Sequence, residues 1–549
     1  MSHRRLVASA TIVAAGISLI PGLAHAADPE SGKVLGVSKP DLDSAIRART
    51  TTFDSPADRS VKVPAAGKGK AAGTPTASEA NPNLAVALQA ATFQAKSLRL
   101  DMDVTSTVTP VLIDINWGDG SADKANTNGS NSVTTEHVYS EVGTYTVKVT
   151  VTDTINQTSA ENSVTVTTEG SDFTPYDPTR LLDTRDGTGA PKAKVAPYTS
   201  ARVKVGGYAA IPAGVTAVAL NITVTNTKSG GHITAFAEGT NRPTTSNLNY
   251  EPGQTVPNLV IVPVGANGYV DLYNGGWESV DLIADVTGYF TQSAASGYTA
   301  ISPDRFVDTR TGLGTLKGQV AGYGTFSTQI AGTRGVPAGA KAVALNVTVT
   351  NPRSDGHLTV FPTGKAATTA SNLNFSTGQT IANSVIVPVG TDGRISIRNG
   401  GWNPADVIVD VVGYYSTDSV SAYLPFDPER VRDTRESKKP LPGRYYTALG
   451  LGEGYPHTKA FVLNTTVTNP KGAGFLAVAP DPNTIADYNN GTDIDVPIPT
   501  SSNLNFTANK TVPNLVQAGR GDTGVIDFFN WSDANIDLVI DIFGIYMDN

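Results

Sequence analysis

No cysteine occurs in the 549 residues. That absence excludes thiol nucleophiles, thiolate metal sites and disulfide staples, so each domain must hold by its own core. Positive charge is also scarce: 41 Lys and Arg face 49 Asp and Glu, for a net charge of −8. A nucleic-acid partner would call for basic clustering instead, and none is expected here. No segment shows convincing helical periodicity, and no Gly-x-Ser-x-Gly elbow or Ser/His/Asp arrangement is present. Histidine can be weighed within the chain: His232 and His357 occupy equivalent places, and the third copy of that place holds Phe475. A position that accepts Phe fills space rather than ligating metal or moving protons.

The one long apolar run lies at the start. Arg4 and Arg5 precede Leu6 to Leu23, which ends in Ala24-His25-Ala26. A charged n-region, an apolar h-region and a small-x-small site read as a cleaved export signal over residues 1–26. Its removal takes two arginines and no acids, moving the net charge from −8 to −10. No apolar helix follows later, so no membrane span is expected after cleavage. The expected location is secreted, free or held noncovalently at the cell surface.

What is present in abundance is repetition. Arg180-Leu181-Leu182-Asp183-Thr184-Arg185 returns at Arg305 to Arg310 and again at Arg430 to Arg435, with 125 residues from Asp183 to Asp308 and from Asp308 to Asp433. Ser246-Asn247-Leu248-Asn249, Ser371-Asn372-Leu373-Asn374 and Ser502-Asn503-Leu504-Asn505 mark the middle of each unit. Units this long can bury their own cores, so the reading is an array of whole domains. Each is all-β: Val218, Leu220, Ile222 and Val224 share one strand face, and Ala219, Asn221, Thr223 and Thr225 the other. The expected fold class is all-β, an immunoglobulin-like sandwich followed by three tandem sandwich or jelly-roll-like repeats. The boundaries read as signal 1–26, flexible linker 27–88, first sandwich 89–170, and repeats at 171–293, 294–418 and 419–549. Pro/Gly-punctuated Gly67 to Pro75 carries the linker reading, and Ser38 to Arg49 allows a short helix within it.

The segment 89–170 carries Trp117-Gly118-Asp119-Gly120, His137-Val138-Tyr139 and Gly143-Thr144-Tyr145-Thr146-Val147. On those motifs it resembles a PKD domain, which implies a spacer or a weak polysaccharide or protein contact in a secreted protein. The repeats, with Leu-Asp-Thr-Arg, Asn-x-Thr-Val-Thr, Ser-Asn-Leu-Asn and a closing Gly-Tyr, resemble those of secreted actinobacterial surface proteins. That resemblance implies a neighbourhood rather than an activity.

Candidate residues fall into three groups. Strand alternation puts Asp183 with Arg185 on one side and Arg180 on the other. Asp285 sits among Leu282, Ile283, Ala284 and Val286, so it is expected to be buried and to need a cation. The expected structural charge pairs are Arg185 with Asp285, Arg310 with Asp410 and Arg435 with Asp541, beside Asp308 and Asp433; a carboxylate-pair hydrolase is disfavoured. Second, one tryptophan per repeat lies at a turn: Trp277, Trp402 and Trp531. An exposed turn indole is a stacking platform for sugar rings, and the competing reading is a plug for the sandwich end. Third, the final repeat gains 13 residues between Pro480 and Asn503 and loses seven earlier. Its loop 481–500, with Asp487, Tyr488 and Asn490, is a candidate ligand site, or else ornament. Asp493 and Asp495 are weak metal candidates; no cofactor is expected, with calcium the one ion their oxygen chemistry would suit. Asn221, Asn346 and Asn464 begin glycosylation sequons that strand alternation produces without cost.

The sequence thus points to a secreted, non-enzymatic binding or adhesion protein engaging cell-wall or extracellular polysaccharide multivalently, with surface proteins as secondary partners. The alternatives are a structural spacer or self-associating array, and a polysaccharide-active enzyme or its targeting subunit.

Overall fold

The structure is a computed structural model, and it describes residues 33–56, 61–63 and 81–549. The export signal at 1–26 and the Gly67 to Pro75 stretch lie outside the described residues.

Each repeat is a jelly roll. In the first, eight strands run β1 (Asp172–Asp183), β2 (Ser200–Lys204), β3 (Ala217–Thr225), β4 (Gly231–Ala237), β5 (Leu248–Tyr250), β6 (Val256–Pro263), β7 (Tyr269–Asn274) and β8 (Asp281–Thr291). They form two four-stranded sheets, ordered β1-β8-β3-β6 and β2-β7-β4-β5. The second repeat has the same order throughout, and the third repeats it with one added strand. Val218, Leu220, Ile222 and Val224 of β3 fill the sandwich between the two sheets. Interleaved jelly-roll sheets of this kind solve the problem of burying one apolar face per sheet.

The other face of β3 is buried too: all nine residues of Ala217–Thr225 are inaccessible, as are all nine of Ala342–Thr350. Ala217, Ala219, Ala342, Ala344, Ala460 and Val462 share a single core with Leu259, Ile261, Ile386 and Leu515. The three repeats therefore pack around a common axis rather than lying along a string. Small residues on that face let the three sheets approach closely. At one end of the axis, Phe173, Tyr298 and Tyr423 meet Phe290, Tyr415 and Tyr546. The closing glycine of each unit makes this possible, because a side-chain Cβ on Gly288, Gly413 or Gly544 would lie 2.0, 2.4 or 2.6 Å from the Phe173, Tyr298 or Tyr423 ring. The Tyr415 and Tyr546 hydroxyls bond each other at 2.7 Å, and Gln517 Nε2 donates to both, at 2.9 and 3.0 Å.

Hydrogen bonds close the ring in one rotational sense. Asn221 Nδ2 donates to the Ser371 carbonyl of the second repeat at 2.5 Å, Asn346 to Ser502 of the third, and Asn464 to Ser246 of the first at 2.7 Å. Return bonds run from Asn383 to Asn221, Asn514 to Asn346 and Asn258 to Asn464. The Asn-x-Thr and Ser-Asn-Leu-Asn motifs are thus inter-repeat clasps, and the sequon asparagines are buried within them.

The N-terminal sandwich pairs strands Ala85–Phe93, Ser97–Thr105 and Asn131–Val138 against Val111–Asn116, Ala122–Thr127, Thr144–Asp153 and Thr158–Thr167. Trp117 is fully buried, stacked on His137 at 4.6 Å and donating from Nε1 to Asp123 at 2.8 Å. Burial opposes ionisation of Asp119, but hydrogen bonds from Ser121 and His137 outweigh it and bring its pKa to about 2.

The linker expected over 27–88 is corrected in its described part. Thr51–Asp54 and Val61–Val63 add edge strands to the N-terminal sandwich. Lys33–Ser38 pairs in parallel with Tyr445–Leu449, the third repeat's counterpart of β2, and the helix Asp43–Arg47 follows. A segment with enough alternating apolar residues found an open sheet edge, which no local pattern announces.

Candidate functional site

The expected pairing of Arg185 with Asp285 is not what the fold makes. Arg180 lies directly opposite Asp285 in the β1–β8 ladder, and its Nε donates to Asp285 at 3.0 Å. Arg305 with Asp410 and Arg430 with Asp541 repeat this at 2.9 Å each. The cause is an irregularity in the ladder between Arg180 and Leu182, which turns Arg180 onto the face that strict alternation denies it. Arg185 instead folds back on Asp183, its Nε and Nη2 at 2.9 and 2.7 Å; Arg310 and Arg435 clasp Asp308 and Asp433 likewise. These arginines hold Asp183 and Asp433 below the usual carboxylate range, whereas burial pushes Asp285, Asp410 and Asp541 upward against the pull of their arginines. Arg180 and Arg305 also donate across the ring to the Thr369 and Thr500 carbonyls. Every member of the triplet motif is engaged in holding the fold.

Loop 481–500 covers the outer sheet of the third repeat. Its helix Ile485–Asn490 starts in a capping box of Thr484 and Asp487, so the Asp487 carboxylate is occupied and its pKa lowered by those bonds. Tyr488 packs on an apolar patch with Tyr446, Phe529 and Trp531, and donates to Asp481 at 2.5 Å. Asn490, Asp493 and Asp495 are exposed. Among the described residues, no three His, Asp or Glu side chains converge as a metal-binding set. Beneath the loop, Asp527 is fully buried beside Asp481, and burial with that neighbouring carboxylate pushes its pKa up to about 10.

The tryptophans divide two against one. Trp277 and Trp402 are 77% and 78% exposed. Each meets a half-exposed tyrosine edge-on: Tyr198 at 5.7 Å and Tyr323 at 5.4 Å between ring centroids. Both tyrosines hold a left-handed backbone, at φ +57° and +59°. That conformation costs roughly 1–2 kcal/mol for a residue with a Cβ, and it belongs to the turn in all three repeats, since Arg444 shares it at φ +65°.

Trp531 is not their counterpart. Asn274 and Asn530 close their turns identically, donating from Nδ2 to the carbonyl four residues on. Trp531 therefore stands at the place of Gly275, and Asp533 at the place of Trp277. It pairs with Phe475 as Gly275 pairs with His232, stacked at 5.9 Å, and is half-buried. Glycine is needed in the first two repeats because a Cβ at Gly275 or Gly400 would lie 2.3 Å from the His232 or His357 ring. Where Tyr198 stands in the first repeat, the third has Arg444, also left-handed at φ +65°, whose guanidinium pairs with Asp533 at 2.9 Å. An exposed aromatic pair in two repeats is thus an ion pair in the third.

Both aromatic pairs lie at one end of the ring. The turns after β1, β3, β5 and β7 share that end by the alternation of strand direction, while the N-terminal sandwich attaches at the other, through Thr168 to Gln292 and Ser171 to Tyr423.

Residues 76–166 match the PKD domain family. PKD domains are adhesion- or binding-type modules typical of extracellular proteins, and no helix among the described residues is long and apolar enough to cross a membrane. No curated protein matches the chain. Among solved structures, the infectious bursal disease virus VP2 subviral particle aligns at 8% identity over 85% of this chain and 81% of that one, with a TM-score of 0.11. A structure of the Gt strain of infectious bursal disease virus aligns at 9% identity over 88% and 85%, also at 0.11.

Proposed function

We propose that the protein is a secreted, non-catalytic glycan-binding protein of the cell surface or extracellular matrix, which contacts polysaccharide through Tyr198–Trp277 and Tyr323–Trp402. The observation that carries this reading is the exposure of two identical aromatic pairs on the end away from the PKD domain. An indole and an edge-on phenol offer a π surface to the C–H face of a sugar ring and a hydroxyl to its rim. Two such platforms on one closed ring bind a polymer with avidity, without new chemistry at either. The carboxylates and arginines of the triplet motif are tied up structurally, which favours binding over hydrolysis.

The test is retention of residues 27–549 on insoluble peptidoglycan, chitin and cellulose, beside Trp277→Ala/Trp402→Ala checked for folding by its unfolding midpoint. Retention that falls at least tenfold in the folded double variant supports the platforms. Equal retention of both proteins, or none of either, overturns them and leaves a self-associating array as the better reading.

A further inference from the structure

At the same end of the ring, three repeats converge on a polar pit centred on the pseudo-threefold axis, with a volume of about 490 Å³. That lies within the roughly 300–1,000 Å³ of small-ligand sites. Its wall carries Asn249, Asn374 and Asn505, the last residue of each Ser-Asn-Leu-Asn motif, together with Gln254, Gln379 and Lys510. Val256, Ile381 and Val512 contribute apolar surface below them.

The polar atoms are not evenly free. Gln254 Oε1 accepts from the Glu251 backbone N–H and Gln379 Oε1 from that of Ser376, both at 2.9 Å. Asn249 Oδ1 accepts from Ser246 Oγ at 3.1 Å and Asn505 Oδ1 from Ser502 Oγ at 3.4 Å. The five carboxamide nitrogens make no hydrogen bond within the described chain. Asn374 Oδ1 is buried without a partner among the described residues, so the pit is a ring of N–H donors in which every other carboxamide acceptor is already used. Lys510 is neutralised by Glu251 across the repeat boundary, and Asp355 adds a carboxylate to the wall. A full anion gains nothing from that balance, and a ligand rich in neutral acceptors gains most.

We propose that the axial pit is a second binding site, which takes an acetamido sugar at or near a glycan chain end. The acetamido carbonyl and ring hydroxyl oxygens accept from the carboxamide ring, and the methyl group meets the valine and isoleucine surface. The assignment deepens the glycan reading, but it stands on side chains distinct from the tryptophan platforms, so each can fail alone. No single repeat contains the pit; it exists only because the ring closes.

The test uses residues 27–549 and a soluble trisaccharide of N-acetylglucosamine, too short to report avidity, by isothermal titration calorimetry. A glucose trisaccharide and inorganic sulfate serve as the other probes. Saturable binding of the acetamido trisaccharide is expected, at least tenfold tighter than glucose trisaccharide, and lost in Asn249→Ala/Asn374→Ala/Asn505→Ala. Should the asparagine variant fold poorly, Gln254→Glu/Gln379→Glu replaces two donors by acceptors at the rim and should give the same loss. No saturable binding, equal binding of the glucose trisaccharide, preference for sulfate, or binding undiminished in folded variants of the pit would each overturn the assignment. No polymer retention by either the parent protein or the tryptophan variant, with intact trisaccharide binding, would instead overturn only the platforms.

Discussion

The first two repeats and the third share a topology but spend their surfaces differently. Repeats one and two leave their turn aromatics open to solvent. The third covers its outer sheet with loop 481–500, extends its edge with Lys33–Ser38, and replaces the aromatic pair by Arg444 and Asp533. The difference extends inside. The position held by Asp271 beside Arg202, and by Ser396, is Asp527 in the third repeat, sealed against Asp481. Two copies expose an aromatic pair, and one copy anchors the N-terminal segment. Three identical units could not do both.

The largest expected effect breaks what all three share. Arg180→Ala leaves Asp285 buried without its cation and should cost about 3–5 kcal/mol in denaturant unfolding of the full chain. Arg185→Ala removes a half-exposed partner of Asp183 and should cost about 1 kcal/mol. Arg430→Ala should cost less than Arg180→Ala by about 1 kcal/mol, the worth of one hydrogen bond, because Arg430 makes no bond to a neighbouring repeat among the described residues. Equal losses for Arg180→Ala and Arg185→Ala would contradict the observed pairing.

That pairing also shows where sequence reasoning stops. Alternation in Val218 to Thr225 announced the strands, and spacing at 125 residues announced three units. It could not say that Ala219 and Asn221 face another repeat, because a small-and-polar face looks alike whether it meets water or a neighbour. Nor could it foresee the irregularity at Arg180, since a single extra residue in a ladder exchanges the faces of everything before it. Tryptophan 531 misled for a related reason: counting one indole per turn ignored which residue closes the turn. The axial pit was illegible in any one repeat, being assembled from three.

A second prediction concerns the sealed carboxyl of the third repeat. Unfolded Asp527 ionises near pH 3.9, roughly the value for a free side chain. Folded, it keeps its proton to about 10 because of burial beside Asp481. Folding therefore takes up a proton across this window, and stability, fully present below the unfolded value, falls as pH rises toward 10. Asp527→Asn keeps the neutral form at every pH. Its midpoint should exceed wild type at pH 8, with the advantage gone at pH 4. A parallel pH dependence in the two proteins would show that Asp527 ionises freely in the fold.

The ring clasps should matter less individually. Asn221→Ala removes a donor to Ser371 and an acceptor for Asn383, both buried, and should cost about 1–3 kcal/mol. If the repeats instead folded as independent beads, the loss would be confined to a separate, earlier transition of the first repeat. A single shared transition that moves as a whole would show the ring to be one cooperative unit.

The smallest effect on stability carries the most weight for function. Arg444→Tyr with Asp533→Trp rebuilds in the third repeat the pair that the first two possess, at a turn already holding the left-handed backbone that Tyr198 requires. The exchange gives up one solvent-exposed ion pair and the Arg444 guanidinium's contact with the Trp531 ring, 5.1 Å from its centroid, so unfolding should move by no more than about 1 kcal/mol. Adding a third platform to a ring with two should nevertheless raise retention on the preferred polysaccharide several-fold, since each further site binds at the effective concentration set by the others. Trp531→Ala, which alters only the half-buried indole behind that turn, should leave retention unchanged. If the rebuilt pair adds nothing while Trp531→Ala abolishes retention, the binding surface lies on the covered outer sheet of the third repeat, and the asymmetry between repeats has the opposite meaning.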